Sequence, residues 1–106
     1  MGKYMITATY STEGVRGLLA DGGTGRKEAI EALLDSVGGK LESAYFMFGS
    51  DDVIIIFDAP DDETVAAIAL TVSSTGMVGA RTTVLLTPEQ VDAATKKSPS
   101  YRPPGG

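Results

Sequence analysis

The stretch Tyr45–Phe57, YFMFGSDDVIIIF, restricts the possible folds more than any other part of the chain. It reads as two strands joined by a tight polar turn, Gly49-Ser50-Asp51-Asp52. Strand side chains alternate between faces. In antiparallel register across that turn, Phe46, Phe48, Val53, Ile55 and Phe57 share one face, and Tyr45, Met47, Ile54 and Ile56 share the other. A hairpin with one wet face alternates in polarity; this one is apolar on both. Burying a large aliphatic side chain contributes roughly 1.5–3 kcal/mol, so each face requires a cover.

The rest of the chain supplies one cover. Lys3–Tyr10 alternates as a first strand, with Tyr4, Ile6, Ala8 and Tyr10 on one side and Met5, Thr7 and Thr9 on the other. Ser11 is placed to cap a short helical segment over Glu13–Ala20, and Asp21–Gly25 reads as a flexible break with three glycines. A first full helix is expected from Thr24 or Gly25 to about Val37. Its apolar stripe is Ile30, Leu33, Leu34 and Val37, and Gly38-Gly39 stops it. Strands are expected at Lys40–Phe48 and Val53–Asp58. Pro60 and the acidic residues after it then end the third strand and open a second helix, whose stripe is Val65, Ile68, Ala69 and Val72. Gly79–Leu86 reads as a fourth strand. Thr87-Pro88-Glu89-Gln90 starts a short third helix, with Thr at the cap, Pro at the first helical position and Gln at the third.

This order, β-α-β-β-α-β plus a short C-terminal helix, is the split βαβ pattern of an α+β, ferredoxin-like domain. It predicts a four-stranded antiparallel sheet with two helices on one face. Residues 1–96 read as one domain and 97–106, KSPSYRPPGG, as a flexible Pro/Gly-rich tail. The second sheet face stays uncovered, which points to a homodimer or larger assembly packed through that face. The competing cover is the third helix folded back, but a helix of about eight or nine residues spans only part of a sheet.

Composition narrows the chemistry. The 106 residues carry a net charge of −5 with scattered cations, against nucleic-acid or anionic-membrane capture. Cysteine is absent, so no disulfide, thiol nucleophile or thiolate metal site is expected. Histidine is absent too, which removes the usual general base and the commonest metal ligand. No secretory leader or membrane-spanning run is recognisable, so a cytoplasmic location is expected.

The remaining candidates have ordinary structural readings beside the functional ones. Asp51 and Asp52 could hold a hard cation or act as a base, but Asp is also a favoured turn residue, and no third ligand stands at a clear spacing. Gly22-Gly23-Thr24-Gly25-Arg26-Lys27 could present amides and Arg26 to an anion, yet it fits neither common phosphate-loop pattern. Tyr4, Tyr10, Tyr45, Arg16 and Arg81 could line a pocket; tyrosine at half-buried strand positions more often packs with a wet hydroxyl. The serines have no histidine to activate them.

Several pieces of the chain resemble one family when taken in order. They are Gly14-Val15, Arg26, Gly38-Gly39-Lys40, Gly49-x-x-Asp52-Val53 and Ala59-Pro60-Asp61-Asp62-Glu63, followed by Gly76-x-Val78, Thr82 and Thr87-Pro88-Glu89. Over about residues 4–94 the chain is similar to the bacterial GYD-domain proteins, small proteins of uncharacterised function named after a Gly-x-Tyr-Asp signature. The signature tyrosine position holds Asp51. The resemblance implies a ferredoxin-like fold of the dimeric α+β-barrel kind. Similar barrels include cofactor-free monooxygenases, haem-degrading enzymes, lactone isomerases and small-ligand sensor domains, and fold alone does not choose among them.

Two readings follow. The first is a non-catalytic small-molecule-binding or regulatory domain acting as an oligomer, with no cofactor and no metal, and with Tyr10, Arg26, Tyr45, Gly49 and Asp52 as ligand-binding candidates. The alternative is a cofactor-independent monooxygenase or isomerase on a small apolar substrate, with Asp52 as the acid/base group. It requires a closed cavity that gathers at least two of these polar groups around one point.

Overall fold

The structure is a computed structural model that describes residues 1–106. The elements are β1 (Gly2–Tyr10), α1 (Thr12–Asp35), β2 (Lys40–Phe46), β3 (Val53–Ala59), α2 (Asp62–Ser74), β4 (Val78–Leu85) and α3 (Pro88–Thr95). The four strands form one sheet in the order β2-β3-β1-β4, and every neighbouring pair is antiparallel. The fold is thus α+β and ferredoxin-like. No helix is long and apolar enough to cross a membrane.

The core lies between the sheet and the two long helices. The even-numbered residues of β1 (Tyr4, Ile6, Ala8, Tyr10) and the odd-numbered residues of β3 (Val53, Ile55, Phe57, Ala59) are buried. Ile30 and Leu34 of α1 and Val65 and Ile68 of α2 cover them. Phe57 is fully buried and stacks on Tyr4 with ring centroids 5.8 Å apart. The helical stripes that the spacing predicts are the ones that make this contact.

One local expectation is met in a narrower form and one is corrected. The break expected at Asp21–Gly25 is present but narrower than five residues: Gly22, at φ 74° and ψ 170°, leaves helical geometry and kinks α1 there. That angle favours glycine, and it divides α1 into an N-terminal limb and a longer C-terminal limb. The central hairpin is also looser than a four-residue turn. Phe46, not Phe48, pairs with Val53. Met47 N–H donates to the Asp52 carbonyl at 2.8 Å, and Phe48 is fully exposed in the connection. A shift of two residues keeps each strand residue on its expected face, because the side-chain period is two.

The other sheet face carries Met5, Thr7, Ile54, Ile56 and Tyr45, and no element of this chain lies over it. Charged groups flank it at both ends. Lys3 Nζ meets Glu42 at 2.6 Å and Asp58 at 3.2 Å, and Glu42 is the extra residue of a bulge in β2. These carboxylates raise the Lys3 pKa, the Glu42 hydrogen bond most strongly. At the opposite end Arg81 pairs with Asp51, which also accepts from Thr9 Oγ1 at 3.1 Å. Helix α3 has its capping box in place (Thr87 with Gln90) but buries no residue, so it does not cover the sheet. Residues 97–106 contain no helix or strand and are exposed.

Candidate functional site

A chamber of about 50 Å³ lies between the helices and the sheet, and 13 of its 14 lining residues are hydrophobic. Its origin is a local shortage of side-chain volume. Ala8 and Ala80 face each other across β1 and β4, and Ala69 of α2 also lines the space. Strand positions facing a core are usually filled by larger branched residues, and here the alanines leave space that Ile6, Ile55, Ile68 and Val72 only border.

Arg26 is the one charged residue on the chamber wall, and Tyr10 stands beside it. Tyr10 ends β1, and Ser11 N–H donates to the Met77 carbonyl at 2.8 Å, fixing the chain where it turns into α1. Ser11 then caps α1 by accepting from Gly14 N–H at 3.2 Å. A side chain at Gly14 would meet the Met77 carbonyl at 2.4 Å, so glycine lets α1 start this close to β4. Past the Gly22 kink, Arg26 reaches back: its Nε donates to the Tyr10 hydroxyl at 3.4 Å, and its guanidinium lies 5.9 Å from the Tyr10 ring centroid.

Tyr10 and Arg26 also line an outer cleft of about 330 Å³ beside the chamber, with Gly14, Gly17, Leu18, Asp21, Thr71 and Thr75 among its walls. Leu33, Val72 and Val78 are shared as well, so the two spaces adjoin at Tyr10 and Arg26. A third recess, bordered by Phe46, Met47, Phe48 and Asp52, lies against another side of Tyr10.

The five ligand-binding candidates separate in space. Tyr10 and Arg26 meet at the chamber. Asp52 is joined to Tyr10, but through its backbone: Oδ2 accepts from Tyr10 N–H at 2.8 Å, while Asp52 N–H donates to the Ala8 carbonyl at 2.9 Å. Asp52 borders the third recess, not the chamber. Tyr45 is 69% exposed on the uncovered sheet face, and Gly49 sits exposed at the hairpin tip. Asp51, at the signature tyrosine position, bonds Thr9 and Arg81 on that same uncovered face, away from the chamber. Arg16 is exposed. Tyr4 is buried and donates its hydroxyl to Asp62 Oδ1 at 2.6 Å, which, with burial, pushes its pKa up to about 12. Asp61 caps α2 by accepting from Thr64, and those hydrogen bonds lower its pKa. No group of three or more acidic side chains gathers as a metal site.

The inward alanines were the signal for the chamber, and the sequence offers them only as unremarkable residues of two strands and a helix. Their meeting depends on the β1–β4 register, which spacing does not reveal.

Comparison with known proteins agrees with the architecture. The solved structure of MtbAldR superposes with a TM-score of 0.58 at 17% sequence identity, covering 81% of this chain and 53% of that one. The chain thus spans about half of MtbAldR, and a likeness at this identity shows the fold alone. No curated protein matches. The GYD domain matches residues 4–95 of the 106, nearly the whole folded part. The chain belongs to the GYD-domain family.

Proposed function

We propose that the protein is a non-catalytic small-molecule-binding or regulatory domain, working as a homodimer or larger assembly. The observation that carries this reading is the apolar chamber between helices and sheet, adjoining a larger cleft where Tyr10 and Arg26 meet. Binding sites combine a mostly apolar lining with a few placed polar groups, and this pair of spaces has that make-up. Asp52, the residue an acid/base mechanism would call on, spends one carboxylate oxygen on Tyr10 N–H and stands outside the chamber.

The assembly part rests on the uncovered sheet face. Its centre is Met5, Ile54, Ile56 and Tyr45, and its ends are the Lys3–Glu42–Asp58 and Arg81–Asp51 clusters. An apolar centre with a charged rim is how protein interfaces are built. A second copy of this chain supplies a matching face by symmetry.

Xenon tests the chamber directly. Its binding should shift the amide resonances of Ala8, Val72, Val78 and Ala80. Ala80→Val adds two methyl groups at a strand position that favours β-branched residues, and it should abolish those shifts while the protein stays folded. Absence of shifts at these residues in the unaltered protein refutes a ligand chamber here.

A further inference from the structure

Arg26 differs from every other cation in the chain. Of the nine lysines and arginines, only Lys3 and Arg26 are not exposed. Lys3 is held by Glu42 and Asp58. Arg26 forms no salt bridge, and its one side-chain hydrogen bond is the 3.4 Å contact from Nε to the Tyr10 hydroxyl. The two terminal nitrogens of this partly buried residue are thus left without a protein acceptor, in a chain whose net charge of −5 offers carboxylates in plenty. They reach solvent and are therefore free to donate to a ligand that enters the cleft. Arginine is also the side chain whose fork matches a carboxylate in two parallel bonds.

What stands on either side of Arg26 narrows the ligand further. The chamber is nearly all hydrophobic and small: at about 50 Å³ it is well under the roughly 150 Å³ of a cavity that holds benzene. It suits a short aliphatic chain and not a ring system. The outer cleft is roomier and polar enough for a charged end group, and it holds a carboxylate of its own, Asp21, which makes no ion pair with Arg26. Like charges repel, so Asp21 on the cleft wall disfavours a doubly charged phosphate or dicarboxylate more than a single carboxylate.

We infer that the site takes a short aliphatic monocarboxylate, its chain in the chamber and its carboxylate on the free edge of Arg26, beside the Tyr10 hydroxyl. This deepens the small-molecule-binding reading and rests on it. Tyr10 would act as a positioning residue: its ring lies under the guanidinium and its hydroxyl holds Nε, which leaves the two terminal nitrogens for the ligand.

The test titrates the full chain with three probes of one carbon skeleton, isovalerate, 3-methylbutanol and isoamylamine, followed by amide shifts at Ala8, Tyr10, Val72 and Val78. Isovalerate is expected to bind about tenfold or more tightly than the alcohol, the worth of a charge-assisted hydrogen bond. The amine should bind no better than the alcohol. Arg26→Gln should bring isovalerate down to the level of the alcohol while alcohol binding persists, which also shows that the variant is folded. Arg26→Lys should keep only part of the preference, because it retains charge without the fork. Equal binding of acid and alcohol overturns the assignment and leaves the chamber reading intact. Failure of all three probes to shift these residues overturns both.

Discussion

Ile56→Asp is expected to dissociate the assembly proposed for the uncovered sheet face. Ile56 lies on that face, paired with Met5 of β1 and Ser43 of β2, and is half-buried in the single chain. Full burial of such a side chain contributes roughly 1.5–3 kcal/mol, so about 1 kcal/mol per copy remains to be gained when the face is covered. A two-fold dimer presents the substitution twice, and about 2 kcal/mol of apolar burial disappears. Each new carboxylate must also leave water without a hydrogen-bonding partner, at a cost of at least about 1 kcal/mol apiece. A total near 4 kcal/mol weakens association nearly a thousandfold, enough to carry a micromolar dimer into the millimolar range. Sedimentation velocity across a dilution series reads this as a fall to single-chain mass, with far-ultraviolet circular dichroism confirming that the fold persists. Ile54→Thr keeps a β-branched side chain on the same face and should weaken association by a smaller factor. A single-chain mass for the unaltered protein at every concentration, or an unchanged assembly in a folded Ile56→Asp variant, refutes the reasoning.

Phe57→Ala should lose about 3–5 kcal/mol of folding stability in urea titration, because the ring is fully buried against Tyr4. Deleting residues 88–106 should change the stability of the single chain by less than about 0.5 kcal/mol, since α3 buries no residue and the segment after it is exposed. The Tyr4–Asp62 bond has a pH signature: the folded phenol is raised from 10.0 to about 12, so its contribution is whole below pH 10 and is lost as pH climbs through 12. Tyrosinate absorbance in an alkaline titration should show a late step that Tyr4→Phe removes.

The fold was largely legible because it rests on two periodicities. Alternation in β1 and β3 and the stripes Ile30–Leu34 and Val65–Ile68 all point at one layer, and the core is made of those residues. Where the reading slipped, local chemistry mimicked another state. Met47 and Phe48 look like strand residues, yet Met47 N–H turns to the Asp52 carbonyl instead of the ladder. The glycines at 22, 23 and 25 did mark a break, but it is confined to Gly22, the one of the three with a positive φ. The site was harder to see because much of it is missing volume. Ala8, Ala69 and Ala80 carry no chemistry, and only the β1–β4 register and the seating of α2 bring them together. Arg26 and Tyr10 stood out as residues but are sixteen positions apart, and their meeting depends on the direction the chain takes after the Gly22 kink, which spacing does not give.

Asp51 and Asp52 are adjacent in sequence and serve opposite sides of the sheet. Asp52 steadies the end of β1 beside the chamber, while Asp51 is tied to Arg81 and Thr9 at the rim of the uncovered face. The chain departs from its family's signature at Asp51 alone of the two. In a cell that makes several related subunits, a charge at that rim discriminates among them more than it adds affinity, because a mismatched neighbour leaves it unpaired. In the proposed assembly Asp51 would therefore bear on which subunits this one accepts as company, and any ligand of the chamber would be chosen elsewhere in the chain.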